Sequence, residues 1–289
     1  MLKSVCEKDF LTNIMHPKGN QVMNIVFNCY PNGLKKALTM SYDDGVIHDR
    51  RLVEIFNRYG IKGTFHINSG LLNSGSRLAA DEIAELYRGH EIACHTDTHP
   101  FPEALPRECL INQVYGDRRK LEAIAGYPVR GMSYPFGRFN DEVIDTMRAL
   151  GIEYSRTTVS TNGFAVPTDF MRWNPTTHHR GDLGKLLEAF ANPPRRIPNL
   201  MLFYVWGHSY EFNDNNNWEI IEDFCEKVSK LDNVWFATNI EIYDYITALK
   251  ALRFSADCTI VYNPSAITCW FTADGKEYAV NPGQTLKLD

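Results

Sequence analysis

The sequence predicts an α/β fold: a (β/α) barrel, distorted and seven-stranded, with a small antiparallel β-unit at the C-terminus. Three observations lead to this prediction. Strand-like and helix-like segments alternate between residues 37 and 251, which is typical of parallel sheets. Several of these strands are apolar throughout, as expected where helices cover a sheet or a barrel closes on itself. After residue 252 the pattern changes to short strands and turns.

The predicted barrel elements follow one another with short connections. The strands are expected at 37–42, 63–67, 90–94, 129–134, 152–159, 200–206 and 234–238. The helices are expected at 48–59, 79–88, 103–125, 140–150, 182–192, 217–231 and 239–251. Helix 239–251 follows a capping box from Thr238 to Glu241, and Asn140 is the expected N-cap of helix 140–150. A further strand is needed between 157 and 200, and we predict it in "DFMRW", residues 169–173.

The domain boundaries follow from the change of pattern. Residues 1–252 are predicted to form the barrel domain, with an N-terminal extension at 1–34 whose "VMNIVFN" forms a hairpin strand before the barrel. Residues 253–289 are predicted to form the C-terminal extension, with "RFSADCTIVY", "AITCWFT", "EYAV" and "TLKL" as strands between turns. This unit is too short to fold alone. Its edge strands are where we expect a homo-oligomer contact.

Composition excludes several classes of function. The net charge is −5 and no basic run is present, so we expect no nucleic-acid partner. The longest apolar run, "LMLFYVW", is too short to cross a bilayer, so we expect no membrane partner. The first twenty residues lack the pattern of a secretion signal, so a cytoplasmic location is expected.

Chemically reactive residues stand at the ends of the predicted strands. "SYDDG" ends the first strand, "HEIACHTDTHP" the third, "SYPFG" the fourth, and "VWGHS" the strand at 200–206. In a (β/α) barrel these ends meet at the mouth of the active site. Asp44, His95 and His99 offer oxygen and imidazole donors that suit Zn²⁺, Co²⁺ or another divalent transition metal. Either the Asp-Asp pair or the His-x-x-x-His spacing is weak evidence alone, and the ordered set is stronger.

These residues resemble motifs of the polysaccharide deacetylases, whose shared core is called the NodB-homology domain (carbohydrate esterase family 4). "SYDDG", "HTDTH", "YPFG" and "WGH" are similar to four of the family's motifs, and the resemblance spans about residues 37 to 250. It implies a metal-dependent hydrolase of C–N amide bonds that deacetylates an N-acetylated sugar or oligosaccharide. It also implies that Asp44, His95 and His99 hold the divalent metal, Zn²⁺ with Co²⁺ as an alternative.

The resemblance also implies the acid–base groups. Asp43 is expected to be the general base that takes a proton from water, and His208 the general acid that protonates the departing amine. The backbone amide of Phe136 is expected to help stabilise the oxyanion. Among the aromatic residues near the strand ends, Tyr134, Trp173 and Trp206 are expected to bind the sugar ring.

Two departures from the family pattern lead to a hypothesis about arginines. The family's third motif begins with an arginine that orients the base, and Ser133 stands at that position here. In the fourth motif, Arg172 of "DFMRW" replaces an aspartate that pairs with the acid. We therefore expect Arg172 or Arg156 to turn toward Asp43.

His208 then needs another carboxylate, and Glu211 and Asp214 are the candidates. Three alternatives to the leading function stay open. A small soluble acetamide-bearing compound could replace the glycan as substrate. The chain could be an allantoinase-like hydrolase of another non-peptide amide, although such relatives tend to lose metal ligands. Or it could be a non-catalytic carbohydrate-binding protein.

Overall fold

The computed structural model describes residues 22–193 and 200–289. Its strands are β1 Ile25–Val26, β2 Lys36–Asp43, β3 Gly63–Ile67, β4 Glu91–Cys94, β5 Gly131–Ser133, β6 Tyr154–Arg156, β7 Thr177–His178, β8 Met201–Gly207, β9 Val234–Phe236, β10 Arg253–Phe254, β11 Ile260–Tyr262, β12 Cys269–Ala273, β13 Lys276–Val280 and β14 Thr285–Lys287. Its helices are α1 Asp49–Arg58, α2 Ile83–Leu86, α3 Arg107–Ala125, α4 Asp141–Ala149, α5 Leu183–Ala191, α6 Tyr210–Asp214, α7 Glu219–Val228 and α8 Asn239–Ala251.

A curled parallel sheet forms the centre of the protein. Seven strands run in the order β6-β5-β4-β3-β2-β8-β7, and β9 pairs with the beginning of β2. Each residue of β2 is buried, so this strand is the axis of the core. β6 and β7 lie at the two ends of this order, and within the described part of the chain an isolated parallel bridge joins Arg156 of β6 to Trp173, which precedes β7. The predicted distorted (β/α) barrel is confirmed.

The seven barrel strands expected from the sequence are all present, but "DFMRW" is not a strand. Phe170–Arg172 form one turn of 3-10 helix, and the Asp169 side chain caps that turn by accepting a hydrogen bond from the Met171 amide at 2.9 Å. The strand needed in this region lies later, at β7. An aspartate before an apolar run therefore acted as a cap, which the apolar pattern alone could not reveal.

Helix positions agree with the sequence apart from α2, which is only four residues long, and α6, which was not expected. Both predicted caps are confirmed. The Asn140 side chain accepts a hydrogen bond from the Val143 amide at 2.9 Å. Thr238 and Glu241 form the capping box of α8, and the Thr238 amide donates to Glu241 Oε2 at 2.9 Å. These caps satisfy amides that have no partner within the helix.

The C-terminal strands form two three-stranded antiparallel sheets, β10-β11-β14 and β1-β12-β13. The sequence predicted that β1 forms a hairpin strand before the barrel, and this prediction is wrong. β1 pairs instead with β12 of the C-terminal unit, because Met23, Ile25 and Phe27 pack into the apolar cluster there. The rest of the predicted extension, residues 1–21, lies outside the described residues. The hydroxyl of Tyr245 on α8 donates to the Cys29 carbonyl at 2.8 Å and accepts from the Trp270 amide at 3.1 Å. The C-terminal unit is therefore fastened to the last barrel helix.

No helix within residues 22–193 and 200–289 combines the length and the apolar character that crossing a bilayer would require.

Candidate active site

The predicted metal ligands come together at the C-terminal end of the barrel strands. Asp44 follows β2, and His95 and His99 lie in the loop after β4. One ligand atom from each of the three side chains lies within 4.8 Å of the other two. Asp44 Oδ1 is 3.9 Å from His99 Nε2, and the rings of His95 and His99 are 4.8 Å apart between centroids.

Backbone strain is concentrated around these ligands. Asp44, Thr96, His99 and Phe136 all have positive φ angles, at 87°, 65°, 61° and 57°. A non-glycine residue pays of order 1–3 kcal/mol for such a conformation, which persists only where the surroundings enforce it. The fold therefore holds these four residues in their orientations at a cost in stability.

The donor set fits a divalent transition metal. Asp44 Oδ1 is buried and accepts no hydrogen bond, although Arg77 Nη1 lies 3.2 Å away. His95 Nδ1 faces the Ser133 carbonyl at 2.9 Å, which leaves Nε2 free as a ligand. Burial lowers the pKa of His95 to about 4, so the imidazole is neutral, as a metal ligand must be.

A second layer of side chains holds the histidine loop. Asp117 on α3 accepts a hydrogen bond from the His95 amide at 3.0 Å, and Asn68 donates to the Thr96 carbonyl at 3.0 Å. Burial raises the pKa of Asp117 to about 7. Neither residue stood out in the sequence, because both are remote from the motifs they support.

Asp43 is held by groups on two neighbouring strands. Ser133 Oγ donates to Asp43 Oδ1 at 3.1 Å, and the Arg156 guanidinium donates to Oδ2. Burial would raise the pKa of Asp43, but the Arg156 guanidinium beside it holds that pKa well below its ordinary value. The carboxylate is therefore ionised in a buried site, which a base requires.

Of the two arginines proposed to face Asp43, only Arg156 does so. Arg172 lies on the surface, where it pairs with Asp169 at 2.6 Å and with Asp141 at 2.5 Å. The hypothesis allowed either arginine, and it fails for Arg172 because the carboxylates of Asp169 and Asp141 already hold its guanidinium. Arg156 is fully buried, with its guanidinium 4.2 Å from the centre of the Trp206 ring.

His208 is paired with Glu211 and not with Asp214. His208 Nδ1 is 3.0 Å from Glu211 Oε1, whereas Asp214 is exposed. Burial acts to lower the pKa of His208, but the bond to Glu211 and the nearby aspartates raise it above its ordinary value. The other oxygen of Glu211 lies 2.8 Å from His179 Nε2 and 2.9 Å from Arg180 Nε. The "TTHHR" segment thus surrounds the same carboxylate.

The predicted sugar-binding aromatic residues fall into two groups. Trp206 lies beside Arg156 and within 5.7 Å of the His208 ring between centroids, so it belongs to the site. Tyr134 and Trp173 are each 1% exposed, so the prediction that they bind a sugar is wrong. The Tyr134 hydroxyl donates to the Met171 carbonyl at 2.8 Å, and Trp173 packs against other aromatic rings of the core.

Two exposed aromatic rings that were not predicted from the sequence to bind substrate lie next to His99. Phe101 and Phe136 are 47% and 52% exposed, and their rings stack at 4.1 Å. Phe136 was expected to act only through its amide, which has no acceptor among the described residues. Phe101 directly follows "HTDTHP", and this position next to the two histidines was the signal in the sequence that could have placed it near the site.

Part of the chain is similar to known proteins. The model of the family described as polysaccharide deacetylase matches residues 31–155. A chitooligosaccharide deacetylase of Sinorhizobium fredii (strain NBRC 101917 / NGR234) is 25% identical over 119 residues, which are 40% of this chain and 54% of the relative. The chain thus spans about half the length of the curated relative that it matches.

Solved structures share the fold at low sequence identity. A Mycobacterium smegmatis protein described as a polysaccharide deacetylase has a TM-score of 0.58 at 18% identity, over 76% of this chain and 93% of its own. A family 4 acetyl xylan esterase from Clostridium thermocellum, solved with a cobalt ion, has a TM-score of 0.50 at 15% identity, over 72% and 90%.

Proposed function

We propose that this chain, whose residues 31–155 match the model of the polysaccharide deacetylase family, is a metal-dependent hydrolase that removes acetyl from the nitrogen of an N-acetylated sugar. The observation that carries the proposal is the division of labour in the aspartate pair. Asp44 faces His95 and His99, while its neighbour Asp43 is held ionised by Arg156. The chitooligosaccharide deacetylase relative supports an amide as the scissile bond.

Asp44, His95 and His99 would hold the divalent cation, for which we propose Zn²⁺, with Co²⁺ as an alternative. When bound, such a cation polarises an acetyl carbonyl and lowers the pKa of water. His95 is kept in the correct orientation for this by the Ser133 carbonyl behind it.

Asp43 is the proposed general base. Its Oδ2 lies 3.8 Å from His95 Nε2, so the carboxylate stands next to the ligand cluster. Ser133 and Arg156 fix both carboxylate oxygens, so Asp43 can accept a proton from the attacking water without reorienting. The Phe136 amide would donate a hydrogen bond to the carbonyl oxygen as that oxygen becomes negative.

His208 is the proposed general acid. Glu211 holds its Nδ1, so the proton at Nε2 is the one available to the departing nitrogen. An amine is a poor leaving group unless it is protonated, so this transfer is essential for an amide. The raised pKa of His208 increases the fraction of its protonated form, which is the form that a general acid needs.

The test measures acetate release by metal-free protein, with and without added Zn²⁺ or Co²⁺. We expect metal-dependent release from N-acetylglucosamine oligomers, which a chelator stops and which Asp43→Asn lacks. Opening of allantoin without acetate release would favour the cyclic-amide alternative. Glycan binding with no acetate released under any metal would contradict the proposal and favour a binding protein. Zinc as the native metal, the oligomeric state and the cytoplasmic location stay predictions.

A further inference from the structure

A second cluster of metal-binding side chains lies at the same end of the barrel as the candidate metal centre and shares no residue with it. His178, His208 and Glu211, which we call the Glu211 cluster, each offer one ligand atom, and the three atoms lie within 4.8 Å of one another. One carboxylate and two imidazoles are the same donor set as that of the candidate metal centre. Donors of these two kinds suit zinc.

Neighbouring parallel strands bring the two histidines together. His178 is the last residue of β7, and His208 directly follows β8, the strand that pairs with β7. Their rings are 6.4 Å apart between centroids, and Glu211 lies three residues after His208, on α6. The side chains of His178 and His208 are 20% and 19% exposed, so an ion can reach them from solvent.

The distances within the Glu211 cluster match those around a single ion. His178 Nε2 is 3.4 Å from Glu211 Oε2, and His208 Nδ1 is 3.0 Å from Glu211 Oε1. Ligand atoms that bind one tetrahedral zinc ion at about 2.1 Å are about 3.3 Å from one another. The three side chains therefore need little movement to hold one ion.

Two groups of Arg180 oppose metal binding. The guanidinium Nε is 2.9 Å from Glu211 Oε2, and the Arg180 amide donates to His178 Nδ1 at 3.2 Å. Zinc repels the guanidinium, which is 62% exposed and can move into water. The bond from the amide is lost, because Nδ1 must carry the ring proton when Nε2 binds the ion. These costs predict a weak site that fills only when zinc is in excess.

We propose that the Glu211 cluster binds a second zinc ion, which inhibits the enzyme by occupying its general acid. The inhibition rests on the proposed function, in which His208 protonates the departing nitrogen. An ion on Nδ1 of His208 takes the place of one of the two protons that make the ring an imidazolium, so Nε2 no longer gives up its proton readily. Zinc therefore activates at the first site and inhibits at the second.

The binding experiment needs no turnover. Protein is dialysed against excess Zn²⁺, and the bound metal is measured by atomic emission. Wild type should bind two zinc ions and keep one after dialysis into metal-free buffer, whereas His178→Ala and Asp44→Ala should each bind one in excess zinc. The matched control His48→Ala removes a partly exposed imidazole outside both clusters and should bind two. A wild type that binds one ion, or a second ion that His178→Ala retains, would overturn the inference.

Turnover gives a readout that a merely structural role of His178 would not change. Acetate release from N-acetylglucosamine oligomers by wild type should rise with the first zinc ion and fall by about tenfold or more in excess zinc. His178→Ala should show the rise without the fall, and cleavage of 4-nitrophenyl acetate, whose leaving group needs no proton, should escape inhibition. Equal inhibition of wild type and His178→Ala would contradict the inference. Two bound ions without acetate release from any substrate would support the second site and contradict the proposed function.

Discussion

Ser133 and Arg156 are register partners on the adjacent parallel strands β5 and β6, and together they hold both oxygens of Asp43. Partners in a parallel pair project to the same face of the sheet, so a side chain on β6 can reach what a side chain on β5 would have reached. The arginine that the family resemblance places at 133 thus has its counterpart one strand away.

Replacing Arg156 should disable the base. We expect Arg156→Met to lower kcat by 10²-fold or more, because Asp43 loses the charge that keeps it ionised and oriented. The double variant Ser133→Arg/Arg156→Ser should recover part of that loss, since the guanidinium returns to the same face. Thermal unfolding must accompany both assays, because an unpaired buried carboxylate costs about 3–5 kcal/mol. A double variant no better than Arg156→Met, although folded, would contradict the exchange.

Adjacent aspartates should fail in different ways. Asp43→Asn should retain the metal and lose about 10²–10⁴-fold in turnover, whereas Asp44→Ala should lose metal and turnover together. Metal content by atomic emission, measured beside acetate release, distinguishes the two. If Asp43→Asn were as active as wild type, the base would have to be sought elsewhere.

Glu211 should matter only when the leaving group needs a proton. Glu211→Gln removes the charge that raises the pKa of His208, so deacetylation of an N-acetyl sugar should slow by about tenfold or more. Cleavage of 4-nitrophenyl acetate, whose leaving group departs unprotonated, should change far less. Asp214→Asn is the control and should match wild type on both substrates, because Asp214 is exposed and the partner of His208 is Glu211. Equal slowing of both substrates would argue against a role in acid catalysis.

Glu91 gives a pH-dependent stability signature. Burial raises the pKa of Glu91 from 4.5, its value in the unfolded chain, to about 7 in the folded protein. The contribution of protonated Glu91 to folding stability is therefore complete at low pH and is lost as the pH rises toward 7. Glu91→Gln keeps the uncharged form throughout. Relative to wild type, the variant should gain roughly 1–3 kcal/mol in unfolding free energy between about pH 5 and about pH 8.5. Denaturant titrations at both pH values test this, and a constant difference would mean that Glu91 is ionised throughout.

The sequence allowed correct predictions where a residue's position depends on the short segment of chain that contains it. The clustering of Asp44, His95 and His99 at one end of the barrel could be predicted because each lies in a segment that follows a strand, and strand ends of a barrel meet at one rim. The Arg156 exchange needed strand register, which no single segment carries. Tyr134 and Trp173 were misassigned because an aromatic residue near a strand end can point inward or outward. Asp117 and Asn68 could not be found, since helix α3 and the loop after β3 approach His95 only in the folded chain.

Tyr245 joins the segment before the barrel to the strands after it, and β1 is an integral member of a sheet otherwise made from the last quarter of the chain. The two ends of the described chain are therefore in contact with each other and with α8. Truncating the protein at residue 252 to isolate a minimal catalytic unit would expose the apolar face of α8 and would also remove β12, the strand with which β1 pairs. The C-terminal segment, which looks like a separate extension in the sequence, therefore holds the N-terminal strand against the barrel.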